Sequence, residues 1–212
     1  MNRPTTPAEA WAALVAGNQR FVSGQMLHPS QDVAHRAELS AGQAPFAVVF
    51  GCSDSRVAAE IVFDQGLGDT FVVRTAGHVI DTTVLGSIEY GVEVLGAPLV
   101  VVLGHDQCGA VTAAAQALAD GEMPGGFVRA VVDRVIPSII GLAASGRPVS
   151  SLDVAELGHE HLTATARMLT DYSAALARRV ADGTCAVVAV EYTLADGTAS
   201  LASAIGDVEP GR

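Results

Sequence analysis

Phe46–Cys52 reads FAVVFGC and Leu99–Cys108 reads LVVVLGHDQC. Each opens with an unbroken apolar run, too short for a helix and without polar alternation, which predicts a strand buried on both faces. Each run then breaks at a glycine. Directly after it stand Cys52 in the first segment and His105, with Cys108 close behind, in the second. Working outward, Phe71–Val73 and Ala186–Val190 are two more runs of the same kind. The stretches between them, roughly Ala58–Phe63, Thr82–Leu95, Ala110–Asp120, Phe127–Ala144 and Leu152–Ala181, carry helical patterns. Strands alternating with helices predict an α/β fold around a mostly parallel sheet flanked by helices. Asp196-Gly197 is a hairpin turn signal, so a last strand over Ala199–Ile205 is expected to pair antiparallel at the sheet edge. At the other end of the chain, Thr6-Pro7 reads as a helix cap and first helical residue. Trp11, Leu14, Val15, Phe21 and Val22 then recur at helical spacing until Gly24, which makes residues 1–44 an N-terminal helical arm. No repeat or linker interrupts the pattern, and residues 1–212 read as one domain.

The formal net charge of −11 and a pI near 4.8 give a field that repels polyanions, so nucleic acid and anionic membrane are not expected partners. Mean hydropathy is high at +0.37. Yet the longest stretch free of Asp, Glu, Lys and Arg lies between Glu38 and Asp54, short of the ~18 to 20 residues of a spanning helix. The apolar surplus is therefore expected inside the fold or between copies of the chain, as a homodimer or homotetramer. The N-terminus shows no charged segment followed by an apolar one, and a cytoplasmic location is expected.

Three cysteines, Cys52, Cys108 and Cys185, are an odd number in such a chain, which favours metal binding or catalysis over a disulfide framework. Open α/β sheets place ligand sites at the carboxyl ends of their strands, where Cys52, His105 and Cys108 are predicted to fall. If their two strands are neighbours, two thiolates and an imidazole converge. That donor set favours zinc, and three protein ligands leave a fourth position for a water whose pKa the metal brings to about 7. Hydration or hydrolysis is the chemistry such a site performs. Cys185 opens the apolar run CAVVAV with no His or Asp beside it and reads as structural.

CSDSR at Cys52–Arg56 and HDQC at His105–Cys108 resemble the signature of the β-class carbonic anhydrases, Cys-x-Asp-x-Arg followed by His-x-x-Cys. GNQRF at Gly17–Phe21, GQAP at Gly42–Pro45, VVRTAG at Val72–Gly77 and IEY at Ile88–Tyr90 extend the resemblance up to about Gly125. The resemblance implies reversible hydration of carbon dioxide to bicarbonate, with one Zn2+ per chain on Cys52, His105 and Cys108. It implies that Asp54 accepts a hydrogen bond from the zinc-bound water and that Arg56 holds Asp54 ionised. Gln43 stands where the family binds substrate through an amide, and the Gly109 N–H stands where negative charge develops. Phe71, Ala76 and Tyr90 match positions that line the apolar carbon dioxide pocket, partly from a partner subunit. Some members have a closed state in which the aspartate moves onto zinc, and Asp54 is the residue that would do so here. Members regulated by bicarbonate carry Trp where this chain has Val49, so that regulatory pocket is not implied.

Plainer readings stand beside these. Asp-x-Arg is ordinarily a surface ion pair of little weight, and only its place after Cys52 promotes it. Gln43 is otherwise a loop amide, and Phe71 and Tyr90 core residues. His78, His159 and His161 are candidates for proton transfer, although most histidines are simply surface residues. Two other functions remain open to the sequence: a zinc hydrolase of carbon disulfide or carbonyl sulfide, and a non-catalytic zinc or redox sensor.

Overall fold

The computed structural model describes residues 3–143, 151 and 153–209. Five strands, β1 (Ala47–Cys52), β2 (Thr70–Thr75), β3 (Leu99–His105), β4 (Ala186–Tyr192) and β5 (Ala199–Ile205), form one sheet in the order β2-β1-β3-β4-β5. β1 pairs in parallel with both β2 and β3, β3 pairs in parallel with β4, and β5 closes the sheet antiparallel to β4. The mostly parallel sheet with an antiparallel edge strand expected from the sequence is the sheet the chain forms.

The apolar runs alternate between two cores. Val49, Val101 and Val188 face one side, with Ala10 and Leu14 of α1 (Pro7–Ser23) and with Val62 of α3 (Ala59–Val62). Val48, Phe50, Val100, Val102 and Val187 face the other, against Val84 and Ile88 of α4 (Thr82–Glu89), Leu162, Ala166 and Leu169 of α7 (Val154–Tyr172) and Leu176 of α8 (Ala174–Ala181). At about 1.5–3 kcal/mol for each fully buried aliphatic or aromatic side chain, β1 and β3 anchor the molecule. A third cluster joins α5 (Gly109–Asp120), α6 (Val128–Ala143) and Leu157 of α7, and it includes Cys52 and Cys108.

The N-terminal arm packs on its own sheet. Thr6 and Glu9 form a capping box, and Gly24, at φ 70°, ends the helix in the left-handed conformation. A Cβ on Gly17 would lie 1.7 Å from the Phe63 carbonyl oxygen, so only glycine lets α1 approach α3 this closely. Asn18 donates to the carbonyls of Val62 (3.0 Å) and Gly197 (2.8 Å) and accepts from the Ala199 N–H (2.9 Å), tying the helix to the turn between β4 and β5.

A short helix, α2 (Val33–Glu38), not expected from the sequence, follows α1 and is started by Asp32, whose side chain accepts from the His35 N–H. Three sequence expectations need correction. The helix expected over Thr82–Leu95 is α-helical to Glu89 and then widens into a π turn over Tyr90–Val94. The single helix expected over Leu152–Ala181 is two, because Ser173 leaves the helical conformation to cap α8 through Leu176 and donates to Glu89 (2.6 Å). Its first residue, Leu152, and the last of the Phe127–Ala144 stretch lie outside the described residues. Finally, Phe71–Val73 are half-buried rather than buried, since β2 is an edge strand. No helix among the described residues is long and apolar enough to cross a membrane.

Below the sheet, Asp64 is 2% exposed and holds two segments together. It accepts from Arg20 Nε (2.6 Å) and from the N–H groups of Leu27 and His28 (3.0 Å each). Burial works against its charge, but these donors outweigh it and hold the carboxyl below the ordinary value of 3.8. A carboxyl lowered on folding contributes stability above its unfolded pKa and loses it as pH falls through the folded one. Arg20→Met should therefore lower the unfolding free energy at pH 7 by about 3 kcal/mol, measured by urea titration, with the deficit shrinking below pH ~4 as Asp64 protonates in both states.

Candidate metal centre

Parallel pairing places Gly51 opposite Leu103, so Cys52 and His105 emerge from adjacent strand ends. After His105 the chain reverses sharply. Gln107 adopts φ 53°, sparsely populated for a residue with a side chain, and this turn delivers Cys108 to the N-cap of α5. The donor atoms of Cys52, His105 and Cys108 all lie within 4.8 Å of one another, and all three residues are buried. This is the one such cluster among the described residues.

Each donor has been prepared. His105 Nδ1 donates to the Asp106 carbonyl at 2.7 Å, which fixes the tautomer and leaves Nε2 as the electron pair facing the cysteines. Nε2 is buried and has no hydrogen-bond partner. Cys52 Sγ accepts from the Gly77 N–H at 3.3 Å. Hydrogen bonding from Cys108 drives the Cys52 thiol far below its ordinary pKa against the cost of burial, with the backbone N–H groups of Asp54 and Gly77 adding to the effect. The same pairing pushes Cys108 up, although the first amides of α5 partly compensate. The pair thus holds one thiolate readily and a second only beside a cation. A buried, unpartnered imidazole nitrogen next to two sulfurs that need a positive charge fits a soft divalent metal, and the donor set is that of zinc.

Asp54 borders the cluster. Its Oδ2 lies 3.9 Å from His105 Nε2, while Arg56 donates to Oδ1 from Nε (2.9 Å) and from its own backbone N–H (2.9 Å), and to Oδ2 from Nη2 (2.7 Å). This bidentate grip, more than any other contact, holds the Asp54 carboxyl well below the usual carboxylate range. Arg74, to which the sequence reading assigned no role, donates to the carbonyls of Cys52 (2.9 Å) and Asp54 (2.6 Å) and so fixes the backbone carrying both residues. Its signal was present, as a lone charge inside the VVRTAG motif.

Other expected residues are dispersed. Gly109, the first residue of α5, and Ala76, beside Gly77, are exposed next to the cluster. Gln43 is exposed on its loop, and Phe71 and Tyr90 stack with ring centroids 6.0 Å apart at the β2 edge. None of these five lines the cavity of about 150 Å³ that borders His105 and Cys108. That cavity is bounded instead by His78, His159, Leu162, Glu191 and Tyr192 among others. His159 reaches solvent there and pairs with Glu191 at 2.8 Å, whereas His78 and His161 are buried. Cys185 is buried away from the cluster, where burial pushes its thiol up to about 12.

Residues 47–199 match the family model described as carbonic anhydrase. Carbonic anhydrase 2 of Mycobacterium tuberculosis is 57% identical over 204 residues, 96% of this chain and 97% of that protein. The carbonic anhydrase of Mycolicibacterium smegmatis is 57% identical over the same shares of the two chains. Among solved structures, the Coccomyxa β-carbonic anhydrase in complex with acetazolamide superposes with a TM-score of 0.71 at 23% identity, over 80% of this chain and 78% of that one. A tetrameric β-carbonic anhydrase from the ascomycete Sordaria macrospora gives 0.69 at 24% identity, over 78% and 84%. With the Cys-His-Cys cluster at the strand ends, these matches carry one conclusion: the chain belongs to the β-class carbonic anhydrase family.

Proposed function

We propose that this chain catalyses the reversible hydration of carbon dioxide to bicarbonate and a proton, in the cytoplasm, with one zinc ion per chain held by Cys52 Sγ, His105 Nε2 and Cys108 Sγ. The observation that carries the proposal is the convergence of these three atoms within 4.8 Å beside a carboxylate held ionised by arginine. Bound there, zinc supplies the acidity that makes a water nucleophilic near neutral pH. The chain supplies orientation. Asp54, unable to donate while Arg56 keeps it ionised, would accept a hydrogen bond from the attacking water and so orient that oxygen toward the carbon of the substrate. Arg74 keeps Asp54 and Cys52 in fixed register. The Gly109 N–H, at the start of a helix, would donate to the charge that develops on the substrate oxygen.

Gln43, Phe71, Ala76 and Tyr90 complete the pocket in this reading across a contact with a second copy. Tyr90 and Val94 at the π turn are 46% and 64% exposed, and Phe127 is 96% exposed, which is more apolar surface than scattered single residues require. A homodimer or homotetramer covers it, as the tetrameric Sordaria protein supports. His159, at the solvent rim of the cavity beside His105, is positioned to exchange protons with buffer.

Stopped-flow carbon dioxide hydration on protein of known zinc content tests the reading. Activity proportional to zinc, approaching one ion per chain, is the expected result; full zinc with no hydration from pH 6 to 9 would move the assignment to carbon disulfide or carbonyl sulfide hydrolysis or to a sensor. Cys108→Ser should lose zinc or activity, while Cys185→Ser should keep both. Asp54→Asn should retain zinc, measured by atomic absorption, yet lose at least about 100-fold in kcat, since it removes the acceptor and not a ligand.

A further inference from the structure

The turn Ala76–His78 runs over the metal cluster and is unusual for its backbone. Gly77 lies at φ 64° and ψ 21°, and His78 at φ 41°. A Cβ at Gly77 would approach the Ala110 side chain to 2.5 Å, so the turn is pressed against the start of α5. Thr75 closes it by donating to the Val79 carbonyl at 2.9 Å. Its outward product is the Gly77 N–H aimed at Cys52 Sγ.

A second attachment comes from a segment distant in sequence. His161, on α7 and 1% exposed, places Nε2 2.8 Å from the Gly77 carbonyl oxygen and Nδ1 2.6 Å from Ser138 Oγ on α6. A carbonyl only accepts, so Nε2 must carry the hydrogen; a neutral ring then has a bare Nδ1, and the one Ser138 hydroxyl hydrogen, whose oxygen is also 2.6 Å from the Val135 carbonyl, is shared between that carbonyl and Nδ1. Burial lowers the His161 pKa, in keeping with a neutral ring. The His78 ring lies 4.4 Å from that of His161, tilted by 32°, and edge-on to Phe50 at 6.4 Å, which pins the plane of His161.

We infer that His161, oriented by Ser138, is a positioning residue that clamps the Gly77 carbonyl and so keeps the Gly77 N–H directed at the Cys52 sulfur. The relay runs Ser138, His161, Gly77, Cys52, and it joins two helices of the third hydrophobic cluster to one metal ligand. A hydrogen bond to a thiolate ligand draws charge from sulfur and fixes its lone pairs, and outer contacts of this kind typically govern about 10- to 100-fold in metal affinity. The inference rests on Cys52 being a zinc ligand, but the clamp itself is a property of the protein alone.

Two measurements separate them. Long-range proton–nitrogen correlation spectra of metal-free protein should show His161 as the Nε2–H tautomer; an Nδ1–H tautomer at pH 7, with no hydrogen on Nε2, overturns the clamp whether or not zinc binds. In chelator competition, His161→Leu should bind zinc about 10- to 100-fold more weakly and shift the thiolate-to-cobalt charge-transfer band of cobalt-substituted protein, while His161→Gln, which restores an N–H donor, recovers part of both. A purely structural role predicts a lower Tm with unchanged affinity and band, and that result overturns the proposal. If His161→Leu does not fold, Ser138→Ala keeps the ring and removes only its orienting hydroxyl. It should weaken zinc by a smaller factor and relax the tautomer, and no change in either overturns the proposal. Wild-type protein that takes up no zinc would refute the metal reading, leaving the clamp to be judged by the tautomer.

Discussion

Parallel pairing of β1 with β3 is the constraint from which the rest of the molecule follows. Because Gly51 lies opposite Leu103, the two strands end together, and the residues just beyond them share one small volume above the sheet. A slip of one residue would turn every side chain of one strand to the opposite face, exchanging the two cores and sending Cys52 away from His105. The valines of β1 and β3 therefore do more than fill space. By being fully buried on both faces they make any other register too costly to populate, and the Cys-His-Cys cluster inherits that precision.

Above the strand ends, the backbone is held at closely spaced points. Arg74 fixes the carbonyls of Cys52 and Asp54, Asp106 accepts from the Leu194 N–H and orients His105, and the turn at Gly77 is held by Thr75 and His161. Such supports matter because a ligand site on loops is only as exact as the loops are rigid. Here three residues at positive φ, Gly77, His78 and Gln107, are tolerated because the surroundings determine them so fully.

Much of this was legible in the sequence. The strands announced themselves as apolar runs, and the Cys-His-Cys cluster by the residues that follow two of those runs. Asp54 and Arg56 were recognisable from their spacing to Cys52. What escaped the reading depended on contacts between distant segments. Ser173 interrupts a helix because Glu89, far away in the chain, accepts its hydroxyl hydrogen. β2 looks like a central strand in composition, and only the topology places it at an edge. His161 could not be told from a surface histidine, since its partners, Gly77 and Ser138, belong to elements that meet only in the folded chain.

Cys52 and Cys108 belong to the same apolar cluster as Val111, Val132, Val135, Ile139 and Leu157. Two residues of the candidate metal centre are therefore part of the structural packing, with no separate partition between a rigid scaffold and an adaptable site. An exchange of either cysteine for a harder, bulkier ligand such as aspartate would bring an extra polar group into a volume already filled by aliphatic side chains. A change at either position must therefore satisfy the α5–α6–α7 packing as well as the chemistry of the cluster, so each sulfur is constrained twice over.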